Sequence, residues 1–251
     1  MAKVTWGVQG AVRTVLLDRP DKRNALDAEM IAELQAAFTQ VPAAEERVAV
    51  VRAAGPVFCA GLDMKERSAK PMGASPIEAM LHAIETYPLP VVAVVQGDAI
   101  AGGNELALHC DLVVASKAAR FGMSLAQIGL APSWFLAKKL LEVAGPVTTR
   151  RILLLGDPLP AERLYELGVI SHLAEADELE AVAGAVIERL AANAPLSLKA
   201  MKALIVREMA FRDQIPHADV DRLVEEVRRS QDAQEGMAAR LARRPPSFKG
   251  R

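Results

Sequence analysis

Gly97-Asp98-Ala99-Ile100-Ala101-Gly102-Gly103-Asn104-Glu105 is the stretch of sequence that decides the fold of this chain. An apolar, β-branched run, Val91–Val95, precedes it, and a helix-forming stretch follows it. The near absence of side chains around Gly102 lets a ligand approach the backbone and bond to bare N–H groups. The same stretch places a carboxylate, that of Glu105, near the start of the predicted helix.

A second segment of the same kind, Phe58-Cys59-Ala60-Gly61-Leu62-Asp63, lies earlier in the chain and also follows a β-branched run. Two N–H donors on separate loops, together with one carboxylate, are suited to stabilising an enolate and moving a proton. The alternative interpretation of these residues is ordinary turn glycines and a glutamate on a helix surface.

The composition indicates a globular protein with a substantial core. The chain has 251 residues, of which 51% are hydrophobic, enough for one large domain or a domain with an appendage. Its net charge of −1, from 30 basic and 31 acidic residues, argues against general nucleic-acid binding. Cys59 and Cys110 are too few for a disulfide framework or a zinc cluster, and we expect both to be buried.

No part of the sequence predicts a membrane protein or a secreted one. No apolar run reaches the roughly 18 residues that a bilayer-spanning helix needs. The N-terminus starts as a strand and lacks the charged and apolar regions of a signal peptide, so we expect a cytoplasmic protein.

Strands and helices alternate over about the first 115 residues, as in repeated β–α units with right-handed crossovers. Asp27 is expected to cap a helix whose apolar positions follow helical spacing. Residues 66–76 have no periodicity and predict a loop or lid beside the Ala60 segment. The predicted strands are Val12–Leu17, Val48–Val51, Val91–Val95 and Leu112–Val114.

Beyond about residue 145 the pattern becomes helical, with predicted helices over 178–190 and 219–230. Ser197 is expected to cap a helix between them, with Met201, Leu204 and Ile205 facing inward. These helices follow the strands rather than alternating with them. Their apolar stripes therefore need a partner, which is either the core of this chain or another subunit.

Taken in order, the segments resemble the crotonase superfamily, also called the enoyl-CoA hydratase/isomerase family. Arg19–Leu26 resembles its first signature, Phe58–Asp63 its second and Gly97–Asp111 its third, and weaker matches continue to Arg243–Phe248. The resemblance implies an α/β fold, a crotonase-like spiral of repeated ββα units over residues 1–195. It also implies a helical C-terminal region over 196–251 that packs a homo-oligomer, either a trimer or a dimer of trimers.

The resemblance also implies an activity. Members of this family bind acyl-CoA thioesters, without a metal or redox cofactor, and hold the thioester oxygen between two backbone N–H groups. Those donors fall on Ala60 and Gly102, and Glu105 matches the glutamate of a family hydratase. The residues that the resemblance implies for CoA and acyl binding are Lys22, Ala25, Ala60, Gly61, Leu62, Asp63, Leu125 and Trp134.

Leu125 departs from the hydratase pattern, which carries a second glutamate at the matching position. One carboxylate cannot easily both hold a water molecule and deliver its proton, whereas a shift of a double bond needs a single base. Some isomerases of the family carry their single carboxylate at the second position, so the chain mixes features of both types.

We therefore favour double-bond isomerisation over the hydration of a 2-enoyl-CoA. Decarboxylation and thioester hydrolysis, which also occur in the superfamily, stay open, as does a non-catalytic acyl-CoA-binding protein. His82, Asp98 and His109 are candidates for the missing second acid. His109 lies one turn after Glu105, and the alternative for it is a histidine packed against the helix.

Overall fold

A computed structural model describes residues 2–68 and 77–251 of the chain, with the backbone alone at residues 67 and 68. The strands are β1 (Val4–Gln9), β2 (Val12–Leu17), β3 (Val48–Ala53), β4 (Val91–Val95), β5 (Ala99–Ile100), β6 (Leu112–Ser116), β7 (Arg120–Gly122), β8 (Leu159–Pro160) and β9 (His172–Ala174). The α-helices are α1 (Ala28–Thr39), α2 (Met64–Ser68), α3 (Ile77–Glu85), α4 (Gly102–Leu108), α5 (Trp134–Arg150), α6 (Ala161–Glu166), α7 (Leu179–Ala192), α8 (Pro195–Met209), α9 (Ala218–Arg229) and α10 (Gln231–Leu241).

A six-stranded sheet in the order β1-β2-β3-β4-β6-β9 forms the centre of the fold. From β2 to β9 neighbouring strands run parallel, and β1 pairs antiparallel with β2 at the edge. The four strands predicted from the sequence are confirmed within this sheet. Val91–Val95 is buried at every position, as expected of a parallel strand covered on both faces.

Successive side chains of the central strands point to opposite faces of the sheet and enter two separate cores. Ala49 and Val51 belong to the larger core, which includes the buried face of α1. Val48 and Val50 belong to a smaller core that contains the apolar side of α7. The predicted cap of α1 is confirmed, since Asp27 Oδ1 accepts a hydrogen bond from the Met30 N–H at 3.0 Å.

A second sheet, of strands β5, β7 and β8, completes the expected ββα turns. The chain passes from β4 through β5 into α4, and from β6 through β7 towards α5. Cys59 forms an isolated parallel bridge with Ala99, which ties the Phe58–Asp63 segment to β5. The α/β spiral therefore places both glycine-bearing segments side by side.

The predicted loop over 66–76 is wrong at its start, because α2 continues through Ser68. Asp63 Oδ1 accepts hydrogen bonds from the N–H groups of Lys65 at 3.0 Å and Glu66 at 3.4 Å, which starts this helix. The rest of the predicted loop, residues 69–76, lies outside the described residues.

The C-terminal region is helical, as expected, but two details differ from the sequence prediction. Helix α8 begins with Pro195 in its first turn, so Ser197 lies inside the helix and does not cap it. Met201, Leu204 and Ile205 do not face a core of this chain, since they are 57%, 63% and 65% exposed. Of the helices in the described ranges, none is both long and apolar enough to cross a membrane.

Candidate active site

A cavity opens between the Phe58–Asp63 segment, the first turns of α3 and α4, and the segment that follows β7. Its walls are mostly apolar. The apolar and glycine residues that line it are Ala60, Leu62, Met64, Ile77, Ile100, Ala101, Gly102, Met123, Leu125, Ile128, Leu130, Ala131, Pro132 and Leu136. The polar residues that line it are Glu78, Glu105, Ser124, Ser133, Arg228 and Arg240.

Close approach between the two glycine-bearing segments forms one wall of this cavity. Gly61 has a φ of +89°, and a Cβ atom there would lie 2.8 Å from the Ile100 carbonyl oxygen and 3.1 Å from the Gly102 nitrogen. A Cβ atom on Gly103 would lie 2.1 Å from the Cys59 carbonyl oxygen. Both positions therefore require glycine, because the two segments approach too closely for a side chain.

Ala101, between β5 and α4, has an unusual backbone conformation with φ 49° and ψ −112°. Its N–H donates to the Gly122 carbonyl at 2.7 Å, and its own carbonyl accepts from the Glu105 N–H at 3.0 Å. Such a conformation costs an L-residue on the order of 1–3 kcal/mol and persists where the surroundings fix it. This conformation turns the chain sharply, so that the backbone of Gly102 lines the cavity.

Two backbone N–H groups at this wall have no acceptor within the described part of the chain, those of Leu62 and Gly102. The Ala60 N–H is not available, because it donates to the Arg23 carbonyl at 3.0 Å. The prediction of Ala60 as an N–H donor is therefore wrong. Leu62 and Gly102 carry the two free donors, and both residues line the cavity.

Arg19–Leu26 supports this arrangement by bracing the second segment. The Leu26 N–H donates to the Gly61 carbonyl, and the Leu26 carbonyl accepts from the Asp63 N–H, both at 2.8 Å. Asn24 donates to two carbonyls, those of Ala54 at 2.9 Å and Val57 at 2.8 Å. These bonds fix the peptide on either side of Leu62, and its own N–H then faces no acceptor among residues 2–68 and 77–251.

Glu105 is fully buried at the cavity wall. Neither carboxylate oxygen has a hydrogen-bond partner among the described residues. Burial raises the pKa of the Glu105 carboxyl to about 8, because the charged form loses its hydration in the apolar site. A carboxyl with this pKa can both accept and donate a proton near neutral pH.

His109 lies behind Glu105 and does not line the cavity. Its Nδ1 atom is 2.8 Å from the Glu105 carbonyl oxygen and 3.7 Å from Glu105 Oε2. Its ring stacks on Phe135 with centroids 5.1 Å apart. Burial lowers the pKa of His109 to about 3, so the ring is neutral and packs against the helix. This favours the packing alternative over a role as second acid.

A buried charge cluster lies beyond His109. Lys139 pairs with Glu85, and its ammonium is 3.1 Å from a Glu142 oxygen. Burial alone would lower the pKa of Lys139, but the two carboxylates raise it, so the lysine stays charged. Lys139 favours the charged form of Glu105, but burial has the larger influence on the Glu105 pKa.

A second, more open cavity adjoins the first, and the two share Ala60, Leu62 and Met64 as lining residues. Five residues predicted for CoA and acyl binding line it together: Lys22, Ala25, Ala60, Leu62 and Asp63. The Asp63 carboxylate is already occupied, since it accepts from Arg19 at 2.9 Å and caps α2. Its contribution there is to hold the segment in place.

The other predicted residues divide between the cavity and its surroundings. Leu125 lines the cavity as expected. Trp134 does not, which contradicts that prediction; its ring stacks on His217 with centroids 4.5 Å apart. His82 and Asp98 are also absent from the lining, so neither is placed to replace the missing acid.

The sequence analysis missed three charged residues that line the cavity: Glu78, Arg228 and Arg240. They come from α3, α9 and α10, and no local motif marks them. The helical spacing of α3 was the one available signal for Glu78, which follows the buried Ile77. Across residues 2–68 and 77–251 there is no group of three or more His, Cys, Asp or Glu side chains that could hold a metal ion.

Comparisons with known proteins identify the family to which this chain is similar. A family model described as enoyl-CoA hydratase/isomerase matches residues 7–251. The chain is 30% identical to 1,2-epoxyphenylacetyl-CoA isomerase of Escherichia coli (strain K12), over 97% of each chain. It is 32% identical to (E)-benzylidenesuccinyl-CoA hydratase of Thauera aromatica, over 98% of this chain and 99% of that one.

A crystal structure of methylmalonyl CoA decarboxylase has the same fold, with a TM-score of 0.90 at 25% identity, covering 99% of this chain and 98% of that one. The three relatives are an isomerase, a hydratase and a decarboxylase, so likeness alone does not select a reaction. With a family model covering nearly its whole length, the chain belongs to the enoyl-CoA hydratase/isomerase family, the crotonase superfamily that its three segments resemble.

Proposed function

We propose that this family enzyme isomerises the double bond of an enoyl-CoA thioester, with Glu105 as its single proton-transferring carboxylate. The observation that carries the proposal is Glu105 itself, fully buried beside two free backbone N–H groups and without a hydrogen bond among the described residues. A base next to preorganised donors is the combination that enolate formation requires.

The reaction follows from the positions of these groups. The N–H groups of Leu62 and Gly102 donate to the thioester oxygen, and the Glu105 carboxylate removes a proton from C2 of a 3-enoyl thioester. The electron pair moves onto the thioester oxygen as an enolate, which the two N–H groups stabilise. Glu105 then returns the proton to C4, which gives the conjugated 2-enoyl thioester with no net loss of atoms.

Two features of the structure support CoA as the carrier. The cavity that adjoins the thioester position has an exposed lysine, Lys22, for which no anionic partner is present in the described ranges. Lysine in such a position suits the phosphates of CoA. The shared lining at Ala60, Leu62 and Met64 gives the thioester a path between the two cavities.

Leu125 supports isomerisation over hydration, because an apolar side chain in the wall offers nothing to hold a water molecule. Hydration is the second candidate, and Glu78 is the observation in its favour. Glu78 is a second carboxylate in the lining of the same cavity. Two carboxylates could hold a water and deliver its proton, so the reaction depends on whether Glu78 takes part.

The test uses 3-hexenoyl-CoA and 2-hexenoyl-CoA with the wild type and the variants Glu105→Gln and Glu78→Gln. Absorbance of the conjugated thioester follows isomerisation, and mass spectrometry detects the added mass of water. We expect isomerisation that Glu105→Gln slows by about 10²–10⁴-fold, the usual contribution of a general base. Glu78→Gln should change it little.

Glu188→Gln, an exposed glutamate on α7, is the matched control and should leave the rate unchanged. If the wild type adds water to the thioester, and both Glu105→Gln and Glu78→Gln abolish that product, hydration is the function instead of isomerisation. Full activity in Glu105→Gln would contradict both candidates. Tight binding of acyl-CoA with no product from either substrate would favour the non-catalytic alternative.

A further inference from the structure

Two guanidinium groups line the mostly apolar cavity that contains Glu105. Arg228 belongs to the last turn of α9 and Arg240 to the last turn of α10. Neither has a role in the proton transfer proposed above, which needs only the two N–H groups and one carboxylate. Arg240 is exposed, but Arg228 is largely buried and requires its own explanation, because desolvation without a partner costs free energy.

Both guanidinium groups are poorly paired. The one anionic neighbour of Arg228 in the described ranges is Glu225 Oε2, at 3.6 Å, beyond hydrogen-bond distance. Glu225 already accepts a hydrogen bond from Arg229 at 2.9 Å. The Arg228 side chain is nevertheless only 16% exposed. Most of the Arg228 side chain is thus buried, and its guanidinium group makes no hydrogen bond with a described residue.

Arg240 has no ion pair with any described residue. Arg244, four residues later, is by contrast fully paired with a carboxylate of this chain. Its two terminal nitrogens donate to the two carboxylate oxygens of Glu235, at 2.6 and 2.7 Å. The contrast indicates that Arg240 is available for an anion from outside the chain.

Close packing holds the helices that carry these arginines against the cavity. A Cβ atom on Gly236 would lie 2.3 Å from the Ile128 carbonyl oxygen, so α10 lies directly against the cavity wall. Arg240 follows Gly236 by one helical turn and so shares its face. The Ser230 hydroxyl accepts from the Ala233 N–H at 3.0 Å, which fixes the corner between α9 and α10.

Two alternative roles for the arginines fit the structure less well. Glu78 lines the same cavity, but it forms no ion pair with either arginine in the described structure. The CoA phosphates have a different site in our proposal, the adjoining cavity with Lys22. Neither arginine lines that cavity, so both lie on the acyl side of the thioester position.

We propose that the acyl group of the substrate carries a carboxylate of its own, away from the thioester, and that Arg228 and Arg240 bind it. The substrate class is therefore the CoA monothioester of a dicarboxylic acid. This inference rests on the proposed function only for the position of the thioester. Guanidinium groups suit the task, because their planar donors match the two oxygens of a carboxylate.

The test measures binding separately from turnover. Isothermal titration calorimetry compares three length-matched pairs of unreactive ligands: butyryl- and succinyl-CoA, valeryl- and glutaryl-CoA, hexanoyl- and adipyl-CoA. We expect the wild type to bind the carboxylated member of at least one pair about 10–100-fold more tightly, from charge-assisted hydrogen bonds. Arg228→Gln and Arg240→Gln should each reduce that preference, and the double variant should abolish it.

Arg222→Gln, on the exposed side of α9 and outside the cavity lining, is the matched control and should keep the preference. Arg228→Lys should keep part of it, because the charge remains. Affinity for butyryl-, valeryl- and hexanoyl-CoA, whose acyl groups carry no charge, should not change in any variant. Unchanged affinity for these three ligands shows that the variants fold.

The possible outcomes separate this inference from the proposed function. Equal affinity within every pair, or a preference that survives in the double variant, would overturn the inference and leave the proton transfer untouched. A preference that depends on the arginines supports the inference even if no enoyl-CoA is isomerised. If none of the six ligands binds, both this inference and the acyl-CoA site are wrong.

Discussion

Glu105 combines complete burial with a lack of hydrogen bonds to the described residues, and this combination is unusual for a carboxylate. Most buried carboxylates in this chain are paired, as Glu46 is with Arg13 at 2.7 Å. That pairing lowers the pKa of Glu46, whereas burial raises that of Glu105 to about 8. A strongly perturbed pKa in a cavity is typical of a functional group, which supports the role proposed for Glu105.

The raised pKa predicts how activity depends on pH. Glu105 must be ionised to remove a proton, so kcat/KM should rise with pH and level off above an apparent pKa near 8. Steady-state rates for 3-hexenoyl-CoA between pH 5.5 and 9.5, in buffers of constant ionic strength, would show this. A profile that is flat from pH 6 upward would contradict it, since an ordinary carboxyl is already ionised there.

The same pKa predicts how stability depends on pH. Between about 4.5, the ordinary carboxyl value, and about 8, folded Glu105 holds a proton that the unfolded chain has lost. The folded state therefore binds more protons, and its contribution to the free energy of unfolding falls as pH rises through this range. Glu105→Gln removes that contribution.

Urea unfolding at pH 5 and pH 8 would measure the effect. The wild type should lose more stability between the two pH values than Glu105→Gln does. Glu188→Gln should behave like the wild type, since its side chain is exposed. Identical changes in all three proteins would mean that Glu105 titrates normally in the fold.

The sequence predicted Glu105 and Gly102 correctly as cavity residues but chose the wrong N–H donor in the other segment. Ala60 and Leu62 are alike in the sequence, since each is an apolar neighbour of Gly61. What separates them is the Arg23 carbonyl, which accepts the Ala60 N–H at 3.0 Å. That partner lies far away in the chain, so only the folded backbone identifies the free donor.

Helix α4 is the element that carries the site, and its position depends on close contact with the Phe58–Asp63 segment. Gly103→Ala places a methyl group 2.1 Å from the Cys59 carbonyl oxygen, and that oxygen is held by the Ile100 N–H at 2.9 Å. Since neither backbone can move freely, we expect a loss of about 1–3 kcal/mol in the free energy of unfolding. Activity should fall as well, because Gly102 and Glu105 move with the helix.

Gly184→Ala, on α7, is the matched control, since a Cβ atom there meets nothing within 4 Å. We expect it to gain about 0.5–1 kcal/mol, the usual advantage of alanine over glycine inside a helix. Chemical denaturation with both variants tests the pair. Equal effects would show that helix propensity, rather than contact with Cys59, controls the position of α4.

The sequence predicted strands and helix ends correctly where the local pattern of residues determines them. The β-branched runs became the parallel strands, and Asp27 caps α1 as predicted. Local pattern failed at Ser197, because Pro195 already supplies the preferred first residue of α8. Glu78, Arg228 and Arg240 could not be predicted, since three separate helices bring them to one cavity.

The whole molecule buries one side of its C-terminal helices and exposes the other. Gly236 of α10 packs against the cavity wall, and Lys202 of α8 reaches Asp111 at 2.7 Å. The opposite side of α8 presents Met201, Leu204 and Ile205, each more than half exposed. Contiguous apolar side chains at this exposure are typical of a surface that another molecule covers. The division at residues 195 and 196 stays a prediction.

We expect this apolar side of α8 to be covered by other copies of the chain, in the trimer or dimer of trimers that the sequence resemblance implies. Replacing Leu204 and Ile205 together by glutamate puts two charges into such an interface, where they lose water without gaining partners. Analytical ultracentrifugation should then show the wild type as an oligomer and the double variant as a smaller species. Arg189→Glu on the exposed side of α7 is the control, because it changes charge on a surface without an apolar cluster. A wild type that sediments as a monomer would contradict the prediction, as would a double variant that keeps the mass of the wild type.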